Sequence, residues 1–149
     1  MTLIEQLAGF FREGARARPK ARSERDKRTQ EGLILRQEID LLFESANEAR
    51  ANGDRWATAQ WLERASRKLD AAGAIRRAIE VRREAASEYT KFAEAAENHA
   101  DVVAGYTHAA RALLVAGDID AAKASADCAQ DAGPNSAASA ETGPRTAAA

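Results

Sequence analysis

A chain of 149 residues is the size of one domain, or of one domain with tails. Hydrophobic residues make up 45% of it, but alanine supplies more than half of that fraction and aromatics only 5% of the chain. Large side chains are therefore too few to fill a sheet sandwich or a deep pocket, and the single Cys128 excludes an internal disulfide framework.

The formal charge of -1 conceals a dense mixture, 30% of all residues, which suits helices with solvated faces such as Glu63 and Arg67 one turn apart. The three prolines are Pro19, Pro134 and Pro144, so none bars helix from Lys20 to Gly133. Strong helix formers fill that span and no stretch alternates as a strand would, so the expected class is all-α.

The first expected element is a short helix over about Leu3 to Arg12, with Leu3, Ile4, Leu7, Phe10 and Phe11 at helical spacing. A strongly basic connector, Arg12 to Arg28, follows; Gly14 and Pro19 break it, and it is expected to be flexible or partly helical. A long helix from about Arg28 to Asn52 has Leu35, Ile39, Leu42, Ala46 and Ala49 on its inner side. Gly53 suits the left-handed helix-ending conformation and Asp54 suits an N-cap. The next helix, about Asp54 to Ala72, is ended by Gly73 and carries Trp61, Leu62, Ala65 and Leu69 as core, with Trp56 expected nearer the surface as a contact anchor.

From Ala74 a stripe through Ile75, Ala78, Ile79, Ala85, Tyr89, Phe92 and Ala96 stays in phase as one long helix, with Asn98 as its break. The last two helices are expected over about Ala100 to Ala116 and Asp118 to Asp131. The tail from Gly133 has no large apolar residue and reads as disordered.

The last two helices form an antiparallel hairpin, because Gly117-Asp118 is too short a connection for anything else. Ala109, Ala110, Ala122, Ala126 and Ala129 allow close approach, Tyr106, Leu113 and Ile119 supply large knobs, and Pro134 stops the second helix. In length and in its order of large, small, turn, small and stop residues this unit resembles a tetratricopeptide repeat. A second, weaker match runs through Leu42, Ala46, Ala49, Gly53, Asp54, Thr58, Leu62 and Ala65. Gly53 and Gly117 stand 64 residues apart, close to twice the roughly 34-residue period. The middle of the chain lacks a Gly-Asp turn, though "SEYTKFAEAA" echoes the pattern.

The resemblance implies antiparallel helical hairpins stacked as a short right-handed superhelix, with the first helix of each pair lining a concave groove for a polypeptide segment. It divides the chain into residues 1–28, a short amphipathic helix with its basic connector; 29–132, a helical-repeat domain; and 133–149, the tail. The groove would present Phe43, Asn47 and Arg50 from the first pair and Thr107, His108, Arg111 and Leu114 from the last, which suits a peptide of acidic or amide character. The family's Lys and Asn clamp for a C-terminal carboxylate is not reproduced, since Phe43 and Thr107 stand where lysines are expected.

Catalysis finds little support. His99 and His108 are two and a half turns apart with a break between them, neither has a metal-ligand partner one turn away, and Cys128 has only Lys123 nearby to activate it. No cofactor or metal is expected. The competing reading is the arm: Arg16, Arg18, Lys20, Arg22, Arg25, Lys27 and Arg28 crowd together and suit phosphates of nucleic acid or an anionic membrane surface. No aromatic is interleaved to stack bases, and the preceding apolar stripe fits a membrane, a cap on the bundle's end, self-association or a partner's groove. With no spanning apolar run and no basic lead-in to a signal sequence, the expected location is the cytoplasm. The expected function is a non-catalytic protein–protein interaction adaptor.

Overall fold

The structure, a computed structural model, describes the backbone of residues 3–133 and the side chains of residues 23–133. Among the described residues there are five α-helices and no strand: α1 Leu3–Ala51, α2 Arg55–Ala71, α3 Ile75–Ala95, α4 His99–Ala116 and α5 Ile119–Asp131. The expected tail, from Pro134 onward, lies outside them. No helix among the described residues is long and apolar enough to cross a membrane.

The basic connector expected between two helices is itself helical, so α1 is one element. Pro19 removes one backbone hydrogen bond, and Ala17, Arg18, Lys20 and Ala21 around it are strong helix formers that continue the turn on either side. The chain divides into two units at Glu38/Ile39. In the first, side chains from Ser23 onward are mostly exposed, and Glu24 and Lys27 pair at 3.8 Å, a contact that contributes little in water.

In the second unit each helix packs on its chain neighbour, α2 on α3, α3 on α4 and α4 on α5. Glycines at positive φ make the sharp corners: Gly53 at 74°, Gly73 at 75° and Gly117 at 86°. Asp54 caps α2 as expected, its carboxylate accepting from the Ala57 N–H at 2.9 Å. Asn98 caps α4 in the same way, accepting from Asp101 at 2.8 Å.

Alternate helices also meet. Arg50 at the end of α1 pairs with Glu84 of α3 at 2.5 Å, and Trp56 of α2 meets His108 of α4 with ring centroids 4.9 Å apart. Three helices lie between the Gly53 and Gly117 corners, an odd number, so the two corners are not equivalent positions of a two-helix unit. Their 64-residue separation is therefore not two whole repeats: α3, a single 21-residue helix, fills the middle where a hairpin would be needed.

Besides buried Leu62, Leu69 and Val81, the core holds a cluster of small residues around one large ring. Ala59, Ala86, Ala109 and Ala112 surround Tyr89, and Trp56 and Leu113 close over them. Alanine at the contacts lets the backbones come close and leaves room for a single aromatic hub. Ile119, expected as a knob of the last hairpin, is 59% exposed, whereas Leu113 packs on the core cluster and Ala122 is buried.

Asp118 does not cap α5 with its side chain; Arg83 of α3 grips both its oxygens, at 2.6 and 2.8 Å. That hydrogen bond holds the Asp118 carboxyl below its ordinary 3.8. The stability it contributes is present above the unfolded-state value of about 3.9 and is lost as pH falls through the lower folded value. Arg83→Gln is therefore expected to flatten the acid limb of a stability-versus-pH curve slightly, the pair being solvent-facing, and to leave the curve above neutrality unchanged. Urea midpoints measured across pH would show this.

Candidate interaction groove

Side chains from α2, α3 and α4 enclose a recess of about 120 Å³ lined by Glu63, Ser66, Arg67, Arg82, Arg111, Ala112 and Val115. Its floor is satisfied from within. The Tyr89 hydroxyl donates to a Glu63 carboxylate oxygen at 3.2 Å, and the Ser66 hydroxyl donates to the Glu63 carbonyl at 2.8 Å. Burial first, and then the Glu63 charge, push the Tyr89 hydroxyl well above its ordinary 10.0, so it stays a proton donor. Arg82, mostly buried, is paired with Asp70 of α2.

The rim is different. Arg67 reaches Glu63 only at 4.0 Å and leaves its side chain 74% exposed. Arg111 is exposed and forms no ion pair among the described residues. Three guanidinium groups line the recess with one carboxylate, Glu63; Arg67 pairs with it, Arg82 pairs with Asp70, and Arg111 has no ion-pair partner among the described residues. Beside it, Leu114 and Val115 are 56% and 59% exposed. A cationic rim next to an apolar shelf suits a ligand that carries both acid and hydrocarbon.

The residues expected to line one groove are divided among three neighbours. Phe43 packs under the Arg77 guanidinium at 5.5 Å from its ring centre, and Asn47 accepts from Arg50, which is turned to Glu84; these contacts run from α1 to α3. Thr107 faces α5, in a shallow recess with Ala126, Ala129 and Gln130. His108 is not a surface ligand: it lies against Trp56 at 4.9 Å and Tyr89 at 5.0 Å. Of that set, Arg111 lines the α2–α4 recess, and Leu114, one turn further along α4, is exposed.

Both tryptophans are half-buried, and the one on the core cluster is Trp56, not Trp61 as expected. Trp56 packs on the core cluster and on Phe92 at 4.9 Å, whereas Trp61 is half-buried under the Arg64 guanidinium. The reason is tertiary: α4 meets the first turn of α2, where His108 lies against the Trp56 ring. In the basic arm, the side chains of Arg16, Arg18, Lys20 and Arg22 lie outside the described residues, and Arg25, Lys27 and Arg28 are exposed. Among the described residues no cluster of three or more His, Cys, Asp or Glu side chains is placed to hold a metal ion.

The sequence reading passed over Arg67, Arg82 and Val115 as binding residues. Arg67 was visible as half of a helical pair with Glu63, but no period in the chain links it to Arg82 or Arg111. Comparison with family models, with curated proteins and with solved structures returned no match.

Proposed function

We propose that the chain is a non-catalytic protein–protein interaction adaptor that binds an acidic polypeptide segment in the groove between α2 and α4. One observation carries this reading: Arg111, without an ion-pair partner among the described residues, shares a recess with the exposed Arg67 and abuts an apolar shelf of Leu114 and Val115. A solvent-facing arginine next to exposed leucine and valine is an arrangement that protein interfaces favour, because arginine holds carboxylates bidentately while neighbouring apolar area leaves water.

In its finer form the reading treats α4 and α5, turned at Gly117-Asp118, as a tetratricopeptide-like hairpin, and α1 and α2, turned at Gly53-Asp54, as a weaker second one. The packing of α4 on α5 and the positive-φ glycines at both turns support it. The expected ligand is a peptide with carboxylates a helical turn apart and at least one aliphatic side chain.

Arg111→Glu is expected to abolish capture of a protein partner, while deletion of Met1 to Arg28 leaves it intact. A glutamate-rich peptide, titrated by fluorescence anisotropy at low and high salt, gives the direct measurement: binding about tenfold or more weaker in Arg111→Glu, and weaker in salt. Loss of capture on deleting the arm, with Arg111→Glu unaffected, would transfer the function to the basic segment and to an anionic membrane or nucleic acid.

A further inference from the structure

The acidic, partly apolar ligand that this groove suits is present in the chain itself. On α1 the residues Asp40, Leu41, Glu44 and Glu48 fall on one side of the helix by their spacing, and all four are exposed. Leu41 is 60% exposed, and the three carboxylates form no ion pair among the described residues. The opposite side of the same stretch carries Ile39, Ala46 and Ala49, which are buried. A helix cannot turn both faces toward its own core, so the acidic face is available only to another molecule.

We infer that this chain self-associates head to tail, the Asp40/Leu41/Glu44/Glu48 face of one copy seating in the Arg67/Arg111 groove of the next. Leu41 meets the shelf of Leu114 and Val115, and Glu44 and Glu48, four residues or about 6 Å apart along the axis, face the guanidinium groups. The proposal rests on the acidic-peptide reading of the groove and adds the partner's identity. Charge complementarity is its ground: Arg111 in the groove and Asp40, Glu44 and Glu48 on α1 have no ion-pair partner among the described residues, and each surface sets those charges beside exposed aliphatic carbon. Because the two surfaces are different patches of one chain, the contact is heterologous, and repetition yields open chains or rings instead of closed dimers.

Sedimentation velocity and light scattering of the purified full chain test this. The wild-type mass is expected to rise with protein concentration at low salt and to return toward the monomer at high salt. Glu44→Arg and Arg111→Glu, each on an exposed side chain and each checked for unchanged helicity, are expected to weaken association about tenfold or more. The decisive sample is their equal mixture. One variant keeps an intact groove and the other an intact acidic face, so together they associate where neither does so alone. A monomeric wild type at every concentration in low salt, or a mixture that stays monomeric, overturns the proposal. If the wild type is monomeric yet binds the glutamate-rich peptide, self-pairing falls and the acidic-peptide groove stands; if the peptide also fails to bind, both fall.

Discussion

Tyr89→Ala is expected to cost this protein about 3–5 kcal/mol of stability. Tyr89 has no exposed surface and lies at the centre of the alanine cluster, with Trp56 edge-on at 5.1 Å and His108 at 5.0 Å. The alanines around it are already the smallest side chains that hold the helices apart, so they have nothing to move into a vacated ring. Truncating a buried aromatic costs about 3–5 kcal/mol when the site does not collapse, against a total stability on the order of 5–15 kcal/mol. Urea unfolding followed by helical circular dichroism would measure it, and a loss below about 1 kcal/mol would mean that the ring is not the hub of the core.

Tyr89→Phe separates ring from hydroxyl. It keeps the packing and removes the donor to Glu63, for an expected loss of about 0.5–1.5 kcal/mol near neutral pH. The alkaline limb should respond in the opposite sense. With its folded pKa raised, Tyr89 contributes stability that is complete below the unfolded-state value of about 10 and is lost as pH rises beyond it. The phenylalanine variant lacks that ionisation, so its stability should fall less steeply above that pH than the wild type's.

Gly105→Ala is expected to destabilise, although alanine is the better helix former by about 1 kcal/mol. A β-carbon built on Gly105 would lie 2.7 Å from the Ala93 β-carbon, 2.9 Å from the Tyr89 carbonyl oxygen and 3.0 Å from the Ala93 nitrogen. None of these atoms sits on a flexible side chain, so relief requires α3 and α4 to separate. Forcing atoms into such a contact costs about 1–3 kcal/mol, which exceeds the propensity gain. Gly32→Ala is the control, because its β-carbon would meet nothing within 4 Å in a helix of the same chain. A thermal melt in which Gly105→Ala matched or surpassed Gly32→Ala would mean that the α3–α4 crossing is looser than these distances.

How far the residues speak for themselves depends on the range of the interaction. Helix propensity, glycine at positive φ and a carboxylate reaching N–H groups three residues on are local effects. Accordingly α2, α3, α4 and α5 end within about two residues of where composition and caps place them, and Gly53, Gly73 and Gly117 make the corners. Pro19 is the local exception, a single lost hydrogen bond within a run of strong helix formers, and α1 continues through it.

Which faces meet is a long-range matter, and the tertiary structure decided it. The number of helices between Gly53 and Gly117 sets the layer in which each helix lies, so Phe43 and Asn47 are turned to the α1–α3 contact and Thr107 to α5, instead of sharing a groove with Arg111. Trp56 packs on the core cluster and Trp61 does not because α4, more than forty residues away in the chain, meets the start of α2. Arg67, Arg82 and Arg111 come from three helices and share no period that a linear reading detects. Their convergence follows from how close alanine and Gly105 allow those helices to pack, a distance that burial and backbone contact set in three dimensions.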